Sequence, residues 1–468
     1  MKYGLISTIV TFFSLINVNF VAAETVVSGC NRTYAGKELN LCKYVERISN
    51  KSEVVSVAQV DSSGCFSFAI NIKEPCQLFI DGDAQRGFFL CYPNKNYQVE
   101  IADYRERTIQ QKLQPYFVPD EYLVFISDMT KSDANYKVLE LEDAMDFYNL
   151  KVLKSKYDAD TLEFSQNDLK RVFSDFDSDN FLAKYRDYRI LLLFNQFTGN
   201  DRTPEVCKRL SSLGVGVSNP AFWDVFNSTF NDFVANTVGT EDYFIFKRII
   251  DESNAKMLVS HLREKFKVTD KELLELASIK ILADLVQNKD FSTEAVLKLM
   301  SEMGPYVSEK NRQLLIDVAY LSSVGMMGSV ASDLNCIDKD GNKHTLHEFE
   351  GKYIYLNFCN TRLQRCEKDL RILERFAQTF APNLVVVNVF LYDDLSRIKR
   401  VSEVYGKGLQ NWYVWGAEDS DLARKVFNAR SVPSYFVIDG KGKFMLSRNA
   451  EPNDETRYFM LRLFGMAD

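Results

Sequence analysis

Two apolar runs, residues 353–358 and Leu384–Phe390, constrain this chain more than any other feature. Neither alternates with polar positions, so each has to be buried on both faces, as happens in the middle of a sheet covered by helices. The stretch between them, residues 369–380, has helical spacing. Residues 437–445 read as a hairpin around Asp439-Gly440-Lys441-Gly442, and residues 454–464 as a closing helix. Strand, helix, strand, hairpin and helix together predict a compact α/β domain with a mixed central sheet over residues 326–468. It follows the short flexible passage at residues 322–329.

Upstream the period changes twice. Val54-Val55-Ser56-Val57-Ala58 leads through Asp61-Ser62-Ser63-Gly64 into Cys65-Phe66-Ser67-Phe68-Ala69-Ile70, a strand, turn and strand signal with aromatic residues on one face. Residues 77–80, 87–91 and 97–101 fit further short strands, so residues 24–103 predict a small antiparallel β-sandwich. Residues 104–325 are helical in period. Thr269-Asp270-Lys271-Glu272 has capping-box spacing ahead of a stripe formed by Leu273, Leu274, Leu276, Ile279, Leu282, Leu285 and Val286. Ser165-Gln166-Asn167-Asp168 predicts another helix starting at Leu169. These stripes, and the Phe and Tyr residues of 222–246, read as packed core. The expected whole is an α+β multidomain chain with a β-sandwich, an α-helical middle region and a carboxy-terminal α/β domain.

At 468 residues the chain is too long for one ordinary core, in keeping with that division. Its 57 basic and 64 acidic side chains are interspersed, leaving no basic stripe to displace counterions and arguing against nucleic acid as a partner. Met1-Lys2, an apolar run over residues 3–21 and Ala22-Ala23-Glu24 predict a signal peptide at residues 1–23 and an exported protein. Val27-Ser28-Gly29-Cys30 has the residue types of a lipoprotein processing site, which would lipidate Cys30 and supply a membrane anchor. The alternative is a cysteine inside a first strand. Nine cysteines leave at least one thiol unpaired within the chain, and the sequence does not choose the connectivity of Cys30, Cys42, Cys65, Cys76 and Cys91.

Ala331-Ser332-Asp333-Leu334, the turn Asp338-Lys339-Asp340-Gly341-Asn342-Lys343, Leu346 with Phe349-Glu350-Gly351-Lys352, and Ser431-Val432-Pro433-Ser434-Tyr435-Phe436-Val437-Ile438-Asp439 carry a family resemblance. The last roughly 140 residues resemble the extracytoplasmic thioredoxin-like proteins of the TlpA/ResA type, thiol-disulfide oxidoreductases. The sandwich and helical segments are similar to extensions seen on such proteins in Bacteroidetes. The resemblance implies a thioredoxin-like fold, a place in the periplasm or on an outer membrane, and a Trp-Cys-x-x-Cys site at a strand-to-helix junction. No cofactor is implied. There the first thiolate, stabilised by the helix dipole, attacks a substrate disulfide, and the second cysteine resolves the mixed disulfide.

Laid residue by residue, that motif becomes Phe358-Cys359-Asn360-Thr361-Arg362-Leu363-Gln364-Arg365-Cys366. The attacking position falls on Leu363, and Cys366 keeps the resolving one. Dithiol exchange is therefore expected to be lost or altered. Cys366 would sit one turn inside the helix, where burial raises a thiol pKa. Cys359 replaces a tryptophan and is a candidate partner for Cys366. Pro433 is implied to follow a cis peptide bond, exposing the backbone of Val432 to an extended peptide or an envelope protein. Redox chemistry through Cys366 with Cys359, a silent binding module at the Pro433 face, and a surface or carbohydrate-facing role for the upstream regions all remain open. His344 and His347 lie in a turn without a ligand cluster, and no metal site is expected.

Overall fold

The computed structural model describes residues 24–114, 117–197, 203–323, 326–446 and 450–466. The signal peptide expected at residues 1–23, and Val324-Gly325 of the expected boundary, lie outside the described residues.

The amino-terminal part is built from β1 (Thr25–Cys30), β2 (Glu38–Tyr44), β3 (Ser52–Gln59), β4 (Cys65–Ile70), β5 (Cys76–Asp81), β6 (Gln85–Cys91), β7 (Asn96–Glu100), β8 (Asp120–Leu123) and β9 (Phe125–Ile126). They form a five-stranded sheet, β3-β2-β5-β6-β8, and a four-stranded one, β4-β1-β7-β9. Strand β4 follows from its alternation: Phe66, Phe68 and Ile70 are buried while Ser67 and Ala69 face out. With Val27, Leu41, Leu78, Phe89 and Val99 they fill the space between the sheets.

The structure corrects the sequence expectation here in three respects. Strands continue past residue 103, because β8 pairs with β6 and β9 with β7. These strands are too short to show a period, and Leu123 and Phe125 at their junction are exposed. The sheets are not purely antiparallel, since β1·β7 and β6·β8 run parallel. Lipidation of Cys30 does not fit either. Its sulfur is bonded to Cys65, its direct partner across β1 and β4. Processing before Cys30 would also remove the fully buried Val27 and the rest of β1. Gly29, which suggested the processing site, has a packing reason instead: a Cβ there would stand 2.2 Å from the carbonyl oxygen of Val99.

Helices from Ala134–Lys154 to Glu309–Ser323 form the middle region around a large aromatic and aliphatic core that includes Phe222, Phe226, Phe230, Leu258 and Leu282. The helix Lys271–Gln287 buries the expected stripe. Its cap is Asp270 rather than Thr269, the carboxylate accepting from the Leu273 amide at 2.8 Å. The helix expected to start at Leu169 begins earlier, as Ala159–Val172 capped by Asp158. A buried serine, Ser165, interrupts its apolar face and hides the earlier turns from a pattern search.

The carboxy-terminal part contains β10 (Cys336–Ile337), β11 (Lys343–His344), β12 (Tyr353–Cys359), β13 (Leu384–Phe390), β14 (Trp412–Ala417), β15 (Ser434–Ile438) and β16 (Phe444–Leu446). Their order is β11-β10-β14-β13-β12-β15-β16. Strands β12, β13 and β14 are parallel to their neighbours in that trio, and β15 runs antiparallel to β12. Every residue of β13 is buried, as its apolar run requires. Helices Gln364–Phe380 and Asp454–Leu463 pack on one face of the sheet, and Ser420–Val426 on the other. Ion pairs and hydrogen bonds also reach this part from upstream: Arg107 bridges Asp83 at 2.6 Å and Asp421 at 3.2 Å, and Arg424 donates to the carbonyl of Lys112.

Candidate active site

The central parallel strands β12 and β13 end together at Cys359 and Phe390, and the chain leaving β12 turns sharply into the helix Gln364–Phe380. In open α/β sheets this carboxyl edge is where sites are built. The turn is held by side chains. Asn360, fully buried, donates through Nδ2 to the Leu391 carbonyl at 2.6 Å and accepts from the Arg362 amide at 2.9 Å. Asp393 takes the amide and the hydroxyl of Thr361, each at 2.7 Å, and pairs with Arg362 at 3.3 Å. Asp393 itself follows Tyr392, whose hydroxyl donates to Asp421 at 2.7 Å. Neither Asn360 nor Asp393 was singled out in the sequence. Asn360 carried a local signal as a turn former, whereas Asp393 is brought in only by the pairing of β12 with β13.

Leu363 stands at the N-cap of the helix, where its side chain offers no oxygen to the first amides. It is half-buried and packs on the buried cluster that includes Leu370, Phe390 and Tyr435. This is the point at which a helix dipole would stabilise a thiolate, and a hydrocarbon fills it.

Cys366 lies one turn further, 1% exposed, and Cys359 at the end of β12 is 0% exposed. Both are free thiols and lie in the same buried cluster. The Asn360 amide also donates to Cys366 Sγ at 3.4 Å, and Cys359 Sγ lies 3.9 Å from the Val389 carbonyl oxygen. The neighbouring Cys359 thiol lowers the Cys366 pKa and, with the Asn360 amide, outweighs the opposing effect of burial. Burial and the neighbouring Cys366 push the Cys359 thiol well up. Burial raises the Cys366 pKa as expected, but the neighbouring thiol and the Asn360 amide carry the net shift downward. Cys366 also lines a cleft of about 400 Å³ between the helices Gln364–Phe380 and Leu395–Val404, with Arg397 and Arg400 on its wall.

The Val432–Pro433 peptide bond is cis. The ladder between β12 and β15 ends at Phe358↔Ser434, so the next step brings Pro433 level with Cys359 and leaves Val432 outside the ladder. The Tyr435 hydroxyl donates to the buried Asp369 of the site helix, and Arg365 pairs with Asp369 at 3.6 Å and Glu451 at 2.9 Å. Cys359, Leu363, Cys366, Val432 and Pro433 therefore share one end of the sheet. Cys30 belongs to the sandwich instead. His344 stacks on Trp415 and pairs with Glu348 and Asp338, and His347 pairs with Asp333. Among the described residues, no group of three or more His, Cys, Asp or Glu side chains is arranged to hold a metal ion.

No family model matches this chain. Over 118 residues, 25% of its length, it is 25% identical to the thiol-disulfide oxidoreductase ResA of Geobacillus kaustophilus, and the match spans 66% of that protein. Solved structures similar to it include a thioredoxin-like protein from Bacteroides caccae, at 12% identity and a TM-score of 0.34, covering 58% of this chain and 95% of that one. Another is a thiol:disulfide interchange protein from Bacteroides sp., at 21% identity and a TM-score of 0.27, covering 31% and 93%. Over that stretch the chain is similar to a thiol-disulfide oxidoreductase of the TlpA/ResA type.

Proposed function

We propose that this protein is an exported thiol redox protein of the cell envelope. In this reading the usual attacking position is closed by Leu363, and the working thiols are Cys366 and Cys359. The observation that carries it is the packing of these two thiols in one buried cluster at the strand-to-helix junction, with the Asn360 amide donating to Cys366 Sγ at 3.4 Å and the Cys366 pKa lowered while that of Cys359 is raised. One member favours the thiolate and the other holds its proton, which suits a nucleophile and its resolving partner. The Cys30–Cys65 bond supports an oxidising compartment, since such bonds persist outside the cytosol.

Peptide mass spectrometry with thiol labelling tests the pair. A reversible Cys359–Cys366 bridge is expected under mild oxidation, and two permanently unbridged thiols would refute the reading. Reduction of insulin disulfides by the wild type is expected to be absent, because both sulfurs are buried. Leu363→Cys, which puts a thiol at the N-cap three residues before Cys366, should gain that activity.

The cis bond before Pro433 favours a second reading, in which the backbone at Val432 receives an extended segment of an envelope partner without chemistry. Binding that persists in the Cys359→Ser/Cys366→Ser double variant would support it.

A further inference from the structure

We propose that the oxidant of the Cys359/Cys366 pair is a small organic hydroperoxide, admitted through the cleft between the helices Gln364–Phe380 and Leu395–Val404, rather than a protein disulfide. The inference rests on the dithiol reading above and names the substrate class of that site.

Access decides between the two oxidants. A protein disulfide has to bring its sulfur into line with the attacking thiolate while still attached to two backbones. Cys366 is 1% exposed and Cys359 0% exposed, and Leu363 occupies the helix start where such a substrate would arrive. The cleft reaches Cys366 from another direction and has room, at about 400 Å³, for a small molecule. Its walls are of two kinds. Leu370, Val401 and Val404 are apolar and suit an organic tail. Arg397, which donates to the Thr361 hydroxyl and pairs with Asp394, each at 3.3 Å, and the exposed Arg400 add guanidinium donors, beside the Glu367 carboxylate. Charge develops on the departing oxygen as an O–O bond breaks, and guanidinium groups placed there stabilise it.

The chemistry balances within the site. The Cys366 thiol releases its proton to water and the thiolate attacks one peroxide oxygen; the O–O bond breaks and the alkoxide takes that proton back through water, leaving Cys366 as a sulfenic acid. The Cys359 thiol attacks that sulfur. The S–S bond forms, the S–O bond breaks, and the hydroxyl leaves as water with the Cys359 proton. Two thiols and ROOH thus give one disulfide, ROH and water. A small thiol reductant entering the same cleft returns the pair to its starting state by two exchange steps.

The test treats the reduced, full-length protein with cumene hydroperoxide or with diamide, a peroxide-free thiol oxidant, and follows each cysteine by alkylation and peptide mass spectrometry. With the hydroperoxide, the Cys359–Cys366 bridge is expected to form at least about tenfold faster than the buried Cys207 or Cys336 is lost. Both of those thiols are pushed up to about 12 by burial. In Cys359→Ser a sulfenic acid should accumulate at Cys366. Val404→Trp, a change at an exposed residue on the cleft, should slow bridging by about tenfold. A bridge that forms with diamide but not with hydroperoxide overturns this inference and leaves the dithiol reading standing. No bridge with either reagent overturns both. An unchanged rate in Val404→Trp overturns the route through the cleft.

Discussion

Single side chains set the character of the site. Leu363 at an N-cap forgoes the roughly 1 kcal/mol that Ser, Thr, Asp or Asn supplies there, and its packing against the buried cluster beneath the helix offsets part of that loss. The same position was legible in the sequence because the motif around it is contiguous. Cys359 was legible as a candidate partner for Cys366, but the turn that sets their spacing was not, because Asp393, from the loop after β13, shapes it. Away from the site, His344 carries a pH prediction. Burial opposes its charge, yet hydrogen bonds to Glu348 and Asp338 prevail and raise its pKa above the usual 6.5. Its partner Asp338 is partly exposed; partial desolvation opposes its charge, but bonds from Asn342 and the Asp340 amide hold it down to about 2, so the carboxylate stays charged through the neutral range. A raised folded-state pKa contributes stability that is complete below the unfolded value and fades as pH rises through the folded one. The melting-temperature deficit of His344→Gln should therefore be largest near about pH 5.5 and shrink at alkaline pH. A deficit that grows with pH would refute the assignment.

At the scale of elements, strands and helices with a clean period were readable, and those recruited by pairing were not. Strands β4, β12 and β13 and the helix Lys271–Gln287 announce themselves by alternation, by continuous burial or by an apolar stripe. Strands β8 and β9 have no such mark, because partners distant in sequence define them. The pairing of β1 with β4 is reinforced by the Cys30–Cys65 bond across 35 residues. Closing a loop of that length removes unfolded-state entropy equivalent to about 4 kcal/mol. The Cys30→Ala/Cys65→Ala double variant should lower the sandwich's own denaturation midpoint by a corresponding amount, read from probes confined to that region. If the midpoint does not move, β1 is held by its packing alone. A preparation whose chain starts at an acylated Cys30 would contradict the bond outright.

Across the whole molecule, the division into sandwich, helices and α/β part was visible as a change of period, but the contacts joining them were not. Ion pairs such as Lys51–Asp317 and Arg107–Asp421 connect residues hundreds of positions apart and leave no trace in any local pattern. The Arg107–Asp421 pair leads further than its own modest strength. Asp421 also receives the Tyr392 hydroxyl, and the next residue, Asp393, fastens Thr361 and Arg362 beside the thiols. Cutting out residues 326–468 would strip Arg107 from one end of that series, so alkylation of Cys366 should be faster in the fragment than in the intact chain. Equal rates would show that the series transmits nothing. If the rates differ, the amino-terminal sandwich is an input to the thiol site: a molecule docking on it would be reported as a change in how quickly Cys366 is alkylated.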